Sequence, residues 1–139
     1  MGGKNKEWKN CAPFMKYRQL RFGIESRGEI MIKTIAVNKA FEIILNKDIN
    51  KLLEEDYLWY WIDFNQPSRE EINLLRMPLG FHPLAIEDCI NELQRPKLDY
   101  YEDHVFFVAQ TINPSNFSRE EVNLFIGNNY IVTFHQEAS

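Results

Sequence analysis

The chain has 139 residues, 45% apolar and 14% aromatic, enough to bury one core and inconsistent with global disorder. Its formal charge of −4 is uneven: residues 1–29 carry seven Lys and Arg against three Glu, and residues 30–139 carry nine against seventeen Asp and Glu. The acidic body argues against nucleic acid as a partner and suits divalent cations, while two cysteines, Cys11 and Cys89, form no disulfide framework and fit a reducing compartment.

Residues 1–29 show no sustained hydrophobic period and lack the apolar stretch of a secretory signal, so they are expected to be a basic, poorly ordered leader ahead of a domain at 30–139. Met31-Ile32-Lys33-Thr34-Ile35-Ala36-Val37 reads as a strand. Phe41 to Asp48 fits strand or helix equally, and Ile49 to Tyr57 fits a short helix with Asn50 as its cap. Leu58 to Phe64, aromatic and β-branched, has the composition of a buried strand, and its tryptophans are assigned to the core because no basic groove accompanies them. Ser68 to Glu71 has the S-x-x-E spacing of a capping box and opens a helix expected to run through Met77.

Phe81 to Asp103 is the most informative stretch. Pro83 suits a first helical position, and Arg95-Pro96 stops the helix, because the residue before a proline is pushed out of the α region. On a helical wheel Ala85, Ile86, Cys89, Ile90 and Leu93 share an arc of about 140°. Glu87, Asp88, Asn91 and Glu92 fill the opposite arc, with no cation among them. Cys89 is therefore expected inside and Asp88 outside.

Leu98 to Tyr101 and His104 to Thr111 make a hairpin turning at Glu102-Asp103. The words S-R-E-E-I-N-L at 68–74 recur as S-R-E-E-V-N-L at 118–124. The second copy runs into Gly127-Asn128-Asn129 between two β-rich segments, so it is expected to be a strand of a hairpin whose turn uses the positive φ that glycine and asparagine accept. Helices interleave with strands early and strands dominate late, which defines an α/β domain with a mixed sheet covered by helices. The longest apolar candidate, Val105 to Ala109, is strand-sized, well short of the eighteen or more residues of a membrane helix.

G-F-H-P-L-A-I-E-D-C followed by Q-R-P-K-L-D-Y-Y-E-D-H-V-F-F-V resembles the soluble cytoplasmic domain of the CorA family of magnesium transporters. The likeness reaches back to Trp61-Ile62-Asp63 and forward through E-V-N-L-F-I-G-N-N-Y-I-V-T-F-H. It implies an α/β/α sandwich and a homo-oligomer, a pentamer, with regulatory Mg²⁺ held between this helix and acidic residues of a neighbouring subunit. Asp88 matches the principal acidic position of that motif and Glu87 its neighbour. Mg²⁺ takes one or two carboxylates and keeps several waters. Adjacent helical residues diverge by about 100°, so Glu87 and Asp88 cannot chelate one ion unaided.

In the family the partner carboxylates lie on a later stalk helix, and the pore lies in membrane helices with a Gly-Met-Asn signature. The chain is therefore expected to be a cytosolic piece, on the cytoplasmic face of the membrane, holding half a site. The resemblance extends to zinc transporters, which leaves other divalent cations open. A local zinc set of His82, Cys89, His104 and His135 fails on spacing, because His82 and Cys89 lie about 10.5 Å apart in helical rise. No phosphate loop, nucleophile elbow or H-E-x-x-H pattern occurs, so the expected protein is not an enzyme. Gln94 to Lys97 reads equally as a partner-docking corner or as cations favoured by a helix C-terminus. The second functional reading is an oligomerisation or interaction module without metal sensing.

Overall fold

A computed structural model describes residues 31–91 and 95–136. The leader, with Cys11, lies outside the described residues, as do Glu92, Leu93 and Gln94. In chain order the elements are β1 (Ile32–Val37), β2 (Ile43–Leu45), α1 (Ile49–Glu54), β3 (Trp59–Asn65) and α2 (Arg69–Ile72), which runs on into a 3-10 turn at Asn73–Leu75. Then follow α3 (Pro83–Asn91), β4 (Lys97–Tyr100), β5 (Val105–Ile112), β6 (Arg119–Ile126) and β7 (Tyr130–His135). The first S-R-E-E copy is helical and the second extended, as expected, but the first helix stops short of Met77, its α-helical part ending at Ile72 and its 3-10 turn at Leu75.

The strands form one seven-stranded sheet in the order β2-β1-β3-β7-β6-β5-β4. Every neighbouring pair is antiparallel except β3 and β7, so the sheet is mixed. Residues directly opposite in register share a face. The pairs Ile62–Val132, Phe64–Phe134, Phe125–Val132 and Phe106–Phe125 thus define one face, and all six residues are fully buried. Ile49 and Leu52 of α1, Leu75, and Ala85 and Cys89 of α3 join them in a single apolar cluster. The described helices therefore cover this face.

The opposite face is made by Ile35, Trp61, Ile131, Leu124 and Phe107, linked by the same registers and each half-buried. Trp59 and Trp61 belong here rather than in the core. Strand alternation explains the difference: Ile62 and Phe64 take the covered side, so the odd-numbered aromatics take the other.

Three local expectations are corrected. The cap of α1 is Asp48, whose Oδ1 accepts the Asn50 and Lys51 N–H groups at 3.0 and 3.4 Å, placing Asn50 inside the first turn. Ile90 is 46% exposed, so the buried arc of α3 is narrower than the wheel suggested. The turn at 127–129 uses no positive φ. Gly127 is needed there for space, because a Cβ would lie 2.1 Å from the Tyr130 ring. Among the described residues no helix is long and apolar enough to cross a membrane.

Candidate functional site

Helix α3 starts where Phe81 stacks on Phe125, ring centroids 4.0 Å apart. That contact fixes the helix on the covered face of the sheet. His82 closes its first turn, with Nδ1 accepting the Leu84 N–H at 3.2 Å and the ring stacked 4.4 Å from Tyr101. Ala85 and Cys89, one turn apart, point inward and are fully buried. Burial pushes the Cys89 thiol well above its ordinary pKa, and the nearby charges of Asp88 and Glu121 push it further. The thiol is accordingly an inert core group.

Asp88 follows from the register of α3 but is not the free exposed carboxylate that the wheel suggested. Its side chain is 19% exposed, and its Oδ2 lies 2.6 Å from Lys97 Nζ. Lys97 also reaches Asp99 Oδ2 at 2.9 Å. The strand register explains the arrangement. Lys97 opposes Val108 and Asp99 opposes Phe106, both of which face the helices, so β4 aims a cation and a carboxylate up at α3. Hydrogen bonds to Asp88 and then Asp99 hold the Lys97 ammonium above its ordinary pKa. Glu87 is exposed, one position away.

The acidic face of α3 thus has a cation over it, supplied by the next element. The corner reading of Lys97 needs the same revision: its charge is satisfied by two carboxylates rather than by helix carbonyls alone. As a donor set this face fits a hydrated Mg²⁺ in chemistry, with hard oxygens at Asp88 and Glu87. Among the described residues no three His, Cys, Asp or Glu side chains are grouped so as to hold an ion.

His82 and His104 flank the Tyr101 ring, at 4.4 and 5.0 Å between centroids, whereas His135 lies in a separate network. His104, buried, pairs through Nδ1 with Asp103 at 2.6 Å. His135 Nε2 lies 3.0 Å from Asp63 Oδ1, which also accepts the Thr133 hydroxyl, while Thr133 Oγ1 accepts the Trp61 indole N–H at 2.9 Å. Sequence reasoning missed this polar chain across β3 and β7. The parallel pairing of Asp63 with Thr133 that creates it has no local signature.

The family model for CorA-like Mg²⁺ transporter proteins matches residues 57–139. The chain belongs to the CorA-like Mg²⁺ transporter family. Among its relatives is YfjQ of Bacillus subtilis, a protein named for metal ion transport. The two are 42% identical over 105 residues, which is 76% of this chain and 33% of YfjQ. The fold is shared with the complete CorA magnesium transporter of Methanocaldococcus jannaschii, with a TM-score of 0.63, 18% identity, and coverage of 81% of this chain and 34% of the transporter. The soluble domain of the same CorA gives a TM-score of 0.61 and 19% identity, covering 81% of this chain and 43% of that domain. The chain therefore spans about a third of the length of YfjQ and of the complete CorA of Methanocaldococcus jannaschii.

Proposed function

We propose that this chain is the cytosolic, Mg²⁺-sensing and subunit-contacting domain of a CorA-type divalent-cation channel, with Asp88 as its principal metal contact and Glu87 beside it. The observation that carries the reading is Asp88 itself: a half-buried carboxylate on α3, at the acidic position of the family motif. In a homo-oligomer, a pentamer by the family resemblance, Asp88 would face a carboxylate of the next subunit at the cytoplasmic face of the membrane. Two such charges about 5 Å apart at an effective dielectric near 20 repel by roughly 3 kcal/mol. A bridging Mg²⁺ reverses that term, which is comparable with the 1–3 kcal/mol typical of coupling between sites. Loss of the ion then loosens the contact when cytosolic Mg²⁺ falls.

The isolated chain supplies one half of such a site and should bind Mg²⁺ only in the millimolar range. In the full-length assembly Asp88→Ala should weaken Mg²⁺ protection of the domain against protease. Micromolar affinity in the isolated chain, measured by calorimetry and abolished by Asp88→Ala, would show a site complete within one chain and defeat the intersubunit mechanism. A second reading, a contact module without metal sensing, is favoured by one observation: Lys97 already neutralises Asp88. That reading requires subunit association to be indifferent to chelator.

A further inference from the structure

Lys97 places its ammonium on one oxygen of the carboxylate that a divalent cation reaching Asp88 would share. It touches Asp88 Oδ2 at 2.6 Å and is held from the other side by Asp99 Oδ2 at 2.9 Å. The hold is built into the fold, because Lys97 and Asp99 are alternate residues of β4 and so share the face turned to α3. It is also reversible. The Lys97 side chain is 37% exposed and that of Asp99 32%, so water can take over either partner.

Resting on the metal-sensing reading of Asp88, we propose that Lys97 is a tethered competitor that occupies the Asp88 carboxylate and sets the Mg²⁺ concentration at which the site fills. An ion binding at Asp88 must first turn the ammonium away. Its apparent affinity is then reduced by the fraction of time Asp88 is free. Half-exposed ion pairs are individually modest, and two of them on one ammonium leave Asp88 free about one tenth of the time. The sensor is thereby moved to about tenfold higher Mg²⁺ than the bare carboxylate would require.

The test is Mg²⁺ calorimetry on the intact 139-residue chain, with Mn²⁺ electron paramagnetic resonance as a second probe. Lys97→Met, which keeps the aliphatic stem and removes the charge, should tighten binding about tenfold. Lys51→Met, which removes an exposed lysine on α1, should leave binding unchanged. Adding Asp88→Asn to Lys97→Met should abolish the gain. In the unaltered chain, Mg²⁺ titration should release the Lys97 ammonium, read by NMR as faster exchange of its protons. This second measurement decides the matter even if Lys97→Met folds poorly.

Asp88-dependent binding that is no tighter in Lys97→Met, or equally tightened by Lys51→Met, would overturn the competition while leaving the sensing reading intact. A Lys97 ammonium signal that stays constant while Mg²⁺ saturates Asp88 would do the same. Absence of Asp88-dependent binding in both the unaltered chain and Lys97→Met would remove the sensing reading, and the competition with it.

Discussion

Ser68 and Ser118 each open the run Ser-Arg-Glu-Glu, followed by a β-branched residue, Asn and Leu. At the first copy Ser68 Oγ accepts the Glu71 N–H at 3.2 Å, and Glu71 Oε2 accepts the Ser68 N–H at 2.7 Å, a reciprocal cap that starts α2. At the second copy the same residues are strand β6, paired with β5 along its whole length. Ser118 there donates to Asn116 at 2.7 Å, and Glu120 accepts from Asn113 at 2.7 Å. Asn73 is exposed, whereas Asn123 is 2% exposed and its Oδ1 has no hydrogen-bond partner. A capping box is therefore permission to start a helix, withdrawn when a neighbouring strand, here β5, offers the backbone a ladder along its whole length. The same side chains acquire different energetic weights.

The sharpest way to widen that contrast is to place a charge at the matched asparagines. Asn123→Asp puts a carboxylate in a dry site and should destabilise by about 3–5 kcal/mol at neutral pH. Asn73→Asp should stay within about 0.5 kcal/mol. The pH dependence has a definite sign. Burial raises the folded-state pKa of the new carboxyl above its unfolded value near 4. The penalty is thus absent in acid, grows as pH rises above the unfolded value and levels off beyond the folded one. Denaturant melts across pH that show equal losses at 73 and 123 would break the comparison.

A smaller effect separates the two serines. Ser68→Ala removes the cap and should cost about 1 kcal/mol, while Ser118→Ala, losing only an exposed bond to a neighbouring loop residue, should cost less than about 0.5 kcal/mol. Thermal unfolding resolves the two, and similar losses would mean that the cap contributes nothing particular. The smallest effect concerns the second glutamate. Glu121 helps raise the Cys89 thiol, after burial and Asp88. Glu121→Gln should therefore shift the pH titration of Cys89, followed through its Cβ chemical shift by NMR, slightly downward. Glu71→Gln, which keeps a capping side chain, should not move it.

Much of the fold could be read in advance because its signals are local. The alternation in residues 32–37, the hairpin turning at Glu102-Asp103 and the prolines bracketing α3 each depend on near neighbours in the chain. The placement of Cys89 inside α3 followed from helical spacing alone. What escaped depends on distant partners. A wheel of residues 83–91 shows an acidic arc but cannot show that β4, turning back beyond Pro96, sets Lys97 on Asp88. Periodicity likewise marks Trp61 as a strand residue, yet which side of the sheet the helices cover is decided by Ile62 and Phe64 packing with elements far along the chain.

The lone parallel pairing, β3 with β7, also has a consequence for how the domain assembles. Strands β4 to β7 form a meander in which each joins the next through a short loop, and β1 to β3 close within about thirty residues. Within the sheet the two halves are joined only by the pairing of β3 with β7, where Tyr60 pairs with Tyr130 and Asp63 with Thr133, partners 70 residues apart. Closing a loop of that size costs entropy that short hairpins avoid. Each half can therefore gather its own ladder before the seam is joined, and the Trp61–Thr133–Asp63–His135 hydrogen bonds act as the clasp across it. The topology thus predicts folding as two small sheets joined by one late stitch.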